Sequence, residues 1–218
     1  MDLTNEQPQI TFYKDTKVPF FVIRNTLSEE ELEKVYRELE FLKTSGKLND
    51  PKDSGSATED GKLLKSNKSI ALKEVYNDPR FSDIVSIVGP TLIESFPLLC
   101  NSAPQDRNYG NWFMDEVQLY SSATLVSYYE DGDYYEPHRD NSVLTAITFI
   151  AEDYKNCEDQ GFQGGDVTLP DFDVVIPFKH NCTVIFPGFI RHAVTKVSSD
   201  SGLGRFSIVN FGGAGCHT

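Results

Sequence analysis

His138 and Asp140 stand two residues apart in Tyr134-Tyr135-Glu136-Pro137-His138-Arg139-Asp140, and an isolated histidine, His192, closes the later run Phe186-Pro187-Gly188-Phe189-Ile190-Arg191-His192. Two imidazoles and one carboxylate on a common face are the ligand set of mononuclear non-haem Fe(II) centres, whose remaining coordination positions stay open for reactants. If residues 134–140 are extended, side chains alternate, so His138 and Asp140 share one side while Arg139 takes the other. A neighbouring strand must bring the third ligand, and His192 follows an apolar run, residues 182–186, that reads as a buried strand. A further strand-like run, residues 205–211, places Arg205 and Ser207 on one face. A guanidinium binds a carboxylate through two parallel hydrogen bonds, and a hydroxyl beside it adds another. Taken singly, a His-x-Asp pair, a histidine and an arginine are ordinary surface groups. Their order and extended setting carry the chemistry together.

The frame around these residues is specific in combination. Tyr128-Tyr129-Glu130-Asp131-Gly132-Asp133 leads into the His-x-Asp segment, and Phe162-Gln163-Gly164-Gly165-Asp166-Val167-Thr168-Leu169 follows it. Ile185-Phe186-Pro187, His192-Ala193-Val194 and Gly204-Arg205-Phe206-Ser207 then complete the pattern. Over residues 116–211 the chain resembles the 2-oxoglutarate/Fe(II)-dependent oxygenases of the prolyl 4-hydroxylase type. Val18-Pro19-Phe20-Phe21-Val22-Ile23, followed by a helix, also resembles how such domains begin, though less specifically.

The resemblance implies that His138, Asp140 and His192 hold Fe(II) and that Arg205 binds the distal carboxylate of 2-oxoglutarate. It also implies that Tyr128, ten residues before His138, lines the cosubstrate pocket, and that Tyr135 stands near the substrate entrance. Ser207 and Thr148 join the expected cosubstrate contacts, and Arg139 and Trp112 the expected substrate contacts. O2 and ascorbate complete the implied cofactors. The implied reaction is hydroxylation, since related halogenases lack a carboxylate at the position of Asp140. The expected substrate is a prolyl or other residue of a protein or peptide, with a free amino acid or small metabolite as the alternative. A non-catalytic jelly roll that binds metal or a small carboxylate is the competing class. Two departures stand out. Phe149 occupies the place where many relatives carry a cosubstrate-binding tyrosine, with Thr148 or Tyr128 as candidate substitutes and the second contact left open. The interval from His192 to Arg205 is long, padded by the polar turn 198–202, an expected change to the rim of the site.

Composition sets outer bounds. A chain of 218 residues is one domain by size and large enough for its own core. Lys and Arg number 20 against 33 Asp and Glu, a formal net charge of −13. That balance gives no overall attraction for nucleic acid or an anionic membrane, so a nucleic-acid substrate is not expected. Cys100, Cys157, Cys182 and Cys216 show neither paired metal spacing nor a dense disulfide pattern. The first residues lack the basic and apolar regions of a signal peptide, and no run approaches a membrane span, so a cytoplasmic location is expected. Nothing fixes the oligomeric state.

The positioning elements change character once along the chain. Ser28-Glu29-Glu30-Glu31 carries a capping box, and Leu32, Val35, Tyr36, Leu39 and Leu42 then form one apolar helical face that Gly46 terminates. Residues 47–68 are polar and aperiodic, either a lid over a site or a mobile loop. A second helical zone spans 82–96 with a break at Gly89-Pro90. From residue 116 the chain is strand-rich, with runs at 117–129, 134–140, 143–150, 166–169, 174–176, 182–186, 192–196 and 205–211. Eight such strands are the number of a double-sheet jelly roll. The expected fold is therefore α+β, mainly β: a double-stranded β-helix (jelly-roll) core at 116–211, buttressed by the N-terminal helices of 1–115, in one domain over 1–218. His180 reads as an exposed turn residue and His217 as part of a frayed terminus. Tyr109, Trp112 and Phe113 read equally as core or as substrate wall.

Overall fold

Alternating apolar residues from residue 119 onward build two facing sheets. The computed structural model describes residues 7–13, 18, 20–55, 57–93, 119–156 and 161–214. Before the core come β1 (Gln9–Tyr13), β2 (Phe20–Arg24), α1 (Glu29–Thr44), β3 (Thr58–Glu59), β4 (Lys62–Leu63), β5 (Lys68–Ala71) and α2 (Asp83–Ile87). The core strands are β6 (Leu119–Tyr129), β7 (Tyr135–His138), β8 (Leu144–Ala151), β9 (Val167–Leu169), β10 (Val174–Ile176), β11 (Cys182–Pro187), β12 (His192–Val194) and β13 (Arg205–Ala214). These eight match the expected runs, with small shifts at their ends.

The larger sheet has the order β1-β2-β11-β8-β13-β6-β5, and the smaller β10-β9-β12-β7. Four core strands in each sheet make the double-stranded β-helix. β1, β2 and β5 extend the larger sheet at its edges. Residues directly opposite in an antiparallel pair project to the same face, so register fixes what faces inward. Arg205 lies opposite both Tyr129 and Ala151, Ser207 opposite Ser127 and Phe149, and Val209 opposite Leu125 and Ile147. These rows face the smaller sheet. Phe206 lies opposite Tyr128 and Ile150, and Ile208 opposite Val126 and Thr148; these rows face outward.

The outward face is covered by α1 and α2. The capping box forms as the sequence predicts, with Glu31 N–H donating to Ser28 Oγ and the Glu31 carboxylate accepting from Ser28 N–H. Leu32, Val35, Leu39 and Leu42 bury against Val126, Tyr128, Ile150, Phe206 and Ile208. Glu38 ties the two helices: its carboxylate accepts from Ser82 Oγ and Ile84 N–H, each at 2.8 Å. The chain leaves α1 through Gly46 at φ +67°, a conformation that only glycine adopts cheaply.

Part of residues 47–68, expected to be either a lid or a mobile loop, is paired into the fold. Its β3–β4 hairpin is followed by Leu64–Ser66 running beside β7: Glu136 N–H donates to Leu64 O and Ser66 N–H to Tyr134 O. The turn 198–202 is not part of the rim; Ser199 and Ser201 hydroxyls donate to Gly161 O instead. Among the described residues no helix is long and apolar enough to cross a membrane.

If α1 is an integral buttress of the sheet, Leu39→Ala will lower unfolding free energy by about 2–5 kcal/mol, the cost of emptying a fully buried leucine site. Urea denaturation followed by both near- and far-ultraviolet circular dichroism checks this, with the two signals remaining coincident.

Candidate metal centre and its cavity

β7 and β12 pair with His138 directly opposite His192. A register shift between His192 and Val194 lets Tyr135 and His138 both face the cavity. The rings of Tyr135 and His138 stack at 3.6 Å, and those of His138 and His192 lie 4.3 Å apart. β7 ends at His138, and Asp140 is fixed beyond it by its N–H, which donates to Gly188 O at 2.9 Å. Gly188 permits that approach: a Cβ there would meet Ser142 Oγ at 2.0 Å and Ser142 O at 2.7 Å.

The three side chains converge. One ligand atom from each of His138, Asp140 and His192 lies within 4.8 Å of the others. Asp140 Oδ1 is 3.8 Å from His138 Nε2, and Oδ2 is 3.3 Å from His192 Nε2. Both imidazoles are oriented identically: His138 Nδ1 meets Glu136 O and His192 Nδ1 meets Ile190 O, each at 2.9 Å. A carbonyl accepts only, so each Nδ1 carries the proton, and each Nε2 presents a lone pair to the common point. Burial, aided by His192, pushes the His138 imidazole down to about 4, which keeps it neutral near pH 7. Burial works against the Asp140 carboxylate, but the adjacent His192 ring and the hydrogen bond from Thr145 outweigh it and hold the group below its ordinary value. Thr145 Oγ1 donates to Asp140 Oδ2 at 2.7 Å. Two imidazoles that turn Nε2 to a common point, with an ionised carboxylate beside them, fit a divalent metal of the non-haem iron type.

These ligands line a cavity of about 440 Å³ between the sheets. Its walls include Leu125, Ile147, Val209 and Phe211, together with Ser127, Tyr129 and Ser207. Arg205 lies behind Ser207 and is 0% exposed. Its Nη1 donates to Ser207 Oγ at 2.5 Å, while Nε and Nη2 are buried without a hydrogen-bond partner among the described residues. The guanidinium packs over Tyr129 at 4.4 Å and near Phe149 at 5.3 Å. Burial lowers its pKa to about 10, so it remains a cation. Two adjacent unsatisfied N–H groups on a buried cation fit a carboxylate, the pairing that guanidinium makes in parallel. Gly165, at φ +71°, clears the space beside it, where a Cβ would lie 2.6 Å from Arg205 Nε.

Two of the expected cosubstrate residues are elsewhere. Tyr128 faces outward, its ring tilted against Phe206 and beneath Lys43, and its hydroxyl donates to the Glu152 carboxylate at 2.7 Å. Thr148 also faces outward, hydrogen-bonded to Thr183 at 2.7 Å. Sheet alternation excludes both from the cavity and admits Tyr129 in their place. Phe149 faces inward beside Arg205, the position anticipated for it, and carries no donor. Tyr135 lines the cavity, its hydroxyl accepting from Ala57 N–H at 3.3 Å. Arg139 stands at the mouth, bound to Phe189 O and 3.9 Å from Asp171. Trp112, with Tyr109, Phe113 and His217, lies outside the described residues. His180 is half-buried rather than exposed, accepting from Ala151 N–H, and takes no part in the site.

Lys65, Tyr129 and Thr145 escaped the sequence analysis. Tyr129 was discoverable only by choosing between adjacent tyrosines, and Lys65 carried no signal in its polar segment.

No family model matches the sequence, and a search of curated proteins returns no significant match. Solved structures do match. A viral collagen prolyl hydroxylase from Paramecium bursaria Chlorella virus-1, as its 2OG complex, aligns at TM-score 0.57 and 13% identity, covering 89% of this chain and 96% of that one. A Trichoplax adhaerens prolyl hydroxylase, bound to a peptide fragment of the hypoxia inducible factor oxygen degradation domain, aligns at 0.59 and 15%, covering 88% and 82%. OsALKBH1 aligns at 0.57 and 10%, covering 93% and 99%. The fold is that of the 2-oxoglutarate/Fe(II) oxygenases. Identities this low carry the architecture and not the substrate.

Partners that orient metal-binding side chains ordinarily contribute tenfold or more to metal affinity. Thr145→Val removes the donor to Asp140 without changing shape, and is expected to weaken Mn(II) binding roughly tenfold in isothermal titration calorimetry. Unchanged affinity would dissociate Thr145 from the centre.

Proposed function

We propose that this protein is an Fe(II)- and 2-oxoglutarate-dependent dioxygenase that hydroxylates an unactivated C–H bond. The observation that carries the proposal is the convergence of His138, Asp140 and His192 on one point of a cavity whose far wall hides a guanidinium with two unsatisfied N–H groups. His138 and His192 offer Nε2 and Asp140 a carboxylate oxygen to the metal. Arg205, with Ser207 and Tyr129, receives the distal carboxylate of 2-oxoglutarate. Leu125, Ile147, Val209 and Phe211 exclude water from the space between. Bound there, the metal and cosubstrate supply the oxidation: O2 converts 2-oxoglutarate to succinate and carbon dioxide, and its second oxygen atom enters the substrate C–H bond.

A protein or peptide residue is the first substrate class to test, with proline leading because two of the matched structures are prolyl hydroxylases. A free amino acid or small metabolite is the second, favoured by the modest cavity volume. The mouth does not favour nucleic acid. Among the described residues there, Lys62, Arg139 and Arg191 are offset by Glu59, Asp60 and Glu136, so these form no basic strip.

The test is succinate production by purified protein given Fe(II), 2-oxoglutarate, O2 and ascorbate. Asp140→Ala is expected to abolish it. Arg205→Met is expected to raise the KM for 2-oxoglutarate roughly 30-fold or more, since breaking a buried charge-assisted pair costs about 2–5 kcal/mol, while leaving Mn(II) affinity near wild type. Equal loss of metal affinity in both variants, or no 2-oxoglutarate turnover by the metal-loaded wild type, contradicts the proposal.

A further inference from the structure

Lining the cavity is a second buried cation, Lys65, to which the proposed function gives no role. Lys65 is only 5% exposed, although lysine is rarely buried without a charged partner. Among the described residues its ammonium makes one hydrogen bond, from Nζ to Ser69 Oγ at 2.7 Å, and Ser69 is itself fully buried and neutral. An ammonium has three N–H donors and cannot accept, so two remain uncommitted. No carboxylate among the described residues forms an ion pair with it. Burial is also the only cause acting on its pKa, lowered to about 8, which leaves it mainly protonated at neutral pH.

Its position is informative. Lys65 lines the same cavity as the metal ligands and the residues Ser54, Gly55 and Ala57 of the preceding segment. Its ammonium lies 5.7 Å from the centroid of the Tyr135 ring, whose stacking partner is His138. The backbone of Lys65 bridges to Tyr135 in antiparallel fashion, so this arrangement is fixed by main-chain pairing. A charge taken out of water in this way is costly unless a partner arrives. Arg205 bonds Ser207, which lines the cavity from the larger sheet, so the two cations belong to different elements.

We propose that Lys65 is a substrate-anchoring residue that binds a carboxylate of the hydroxylated substrate, which is therefore an organic acid, either free or an acidic group of a peptide. This rests on the oxygenase proposal for the reaction but not for the binding. One ammonium matches one carboxylate; a dianionic phosphate would leave a second negative charge uncompensated in a cavity that already holds Asp140. Held at Lys65, the acid places its neighbouring carbons one aromatic ring away from the metal ligands. Lys65 would thus set specificity while taking no part in oxygen chemistry.

Two readouts test it on the full chain. In the first, Fe(II)- and 2-oxoglutarate-loaded protein is given free amino acids and short organic acids, each beside its carboxamide, and peptides containing Asp or Glu beside their Asn or Gln counterparts. Acids are expected to stimulate succinate formation and carboxamides not; free acids against peptides identifies the source. For an acid that stimulates, Lys65→Met is expected to raise its KM roughly 30-fold, the lower end of the cost of breaking a buried charge pair. Lys65→Arg, which keeps the charge, recovers most of the loss, and neither variant moves the KM for 2-oxoglutarate comparably. In the second, metal-free protein is acetylated with an N-hydroxysuccinimide ester and mapped by peptide mass spectrometry. The acids of the panel are expected to slow modification of Lys65 and the carboxamides not. Protection by acids without any 2-oxoglutarate turnover retains the anchor and removes the oxygenase proposal. Stimulation by acids and carboxamides alike, or the absence of acid-specific protection, overturns the anchor and leaves the oxygenase standing.

Discussion

The pairing of β7 with β12 is the constraint on which the site depends, because it sets His138 opposite His192. Cross-strand partners project to one face, so this single register brings together two imidazoles more than fifty positions apart in sequence. Asp140 is too far along to be held by the ladder and needs its own fixings, the amide bond to Gly188 O and the Thr145 hydroxyl. Slip β12 by one residue and His192 would turn to the opposite face. The bulge beside it has the complementary effect of turning Tyr135 onto His138.

The larger sheet supplies the opposite wall through the same rule. The row that holds Arg205 also holds Tyr129 and Ala151, and the next holds Ser207, Ser127 and Phe149. A fully buried guanidinium with two unpaired N–H groups is unfavourable alone. Its aromatic surroundings offset part of that cost through contact with the cation face, and a carboxylate ligand would satisfy the rest. Lys65 repeats the pattern from the N-terminal segment. An acidic chain that keeps two cations buried around one cavity has concentrated its positive charge where a small anion would be bound.

Much of this was legible in the sequence because its signals are local. The eight apolar runs and the capping box at Ser28 each depend on a few neighbouring residues and take the expected form, whereas the His-x-Asp pair converges although β7 ends at His138. What escaped depends on choices that pattern cannot make. Tyr128 and Tyr129 are the same residue type on opposite faces, so resemblance by counting selected the one that packs beneath α1. Thr148 suffered the same one-residue ambiguity. Lys65 sits in a polar segment that reads as solvent-exposed, and only its pairing with Tyr135 draws it inward. His180 reads as an exposed turn residue, yet the backbone N–H of Ala151 at the end of β8 donates to its ring.

X-ray anomalous scattering from crystals of the protein equilibrated with Mn(II) and 2-oxoglutarate tests the central claim most directly. The prediction is a manganese peak in contact with His138 Nε2, His192 Nε2 and an Asp140 carboxylate oxygen, with 2-oxoglutarate reaching from it to Nε and Nη2 of Arg205. Manganese held by other side chains, or 2-oxoglutarate bound away from Arg205, would contradict the account.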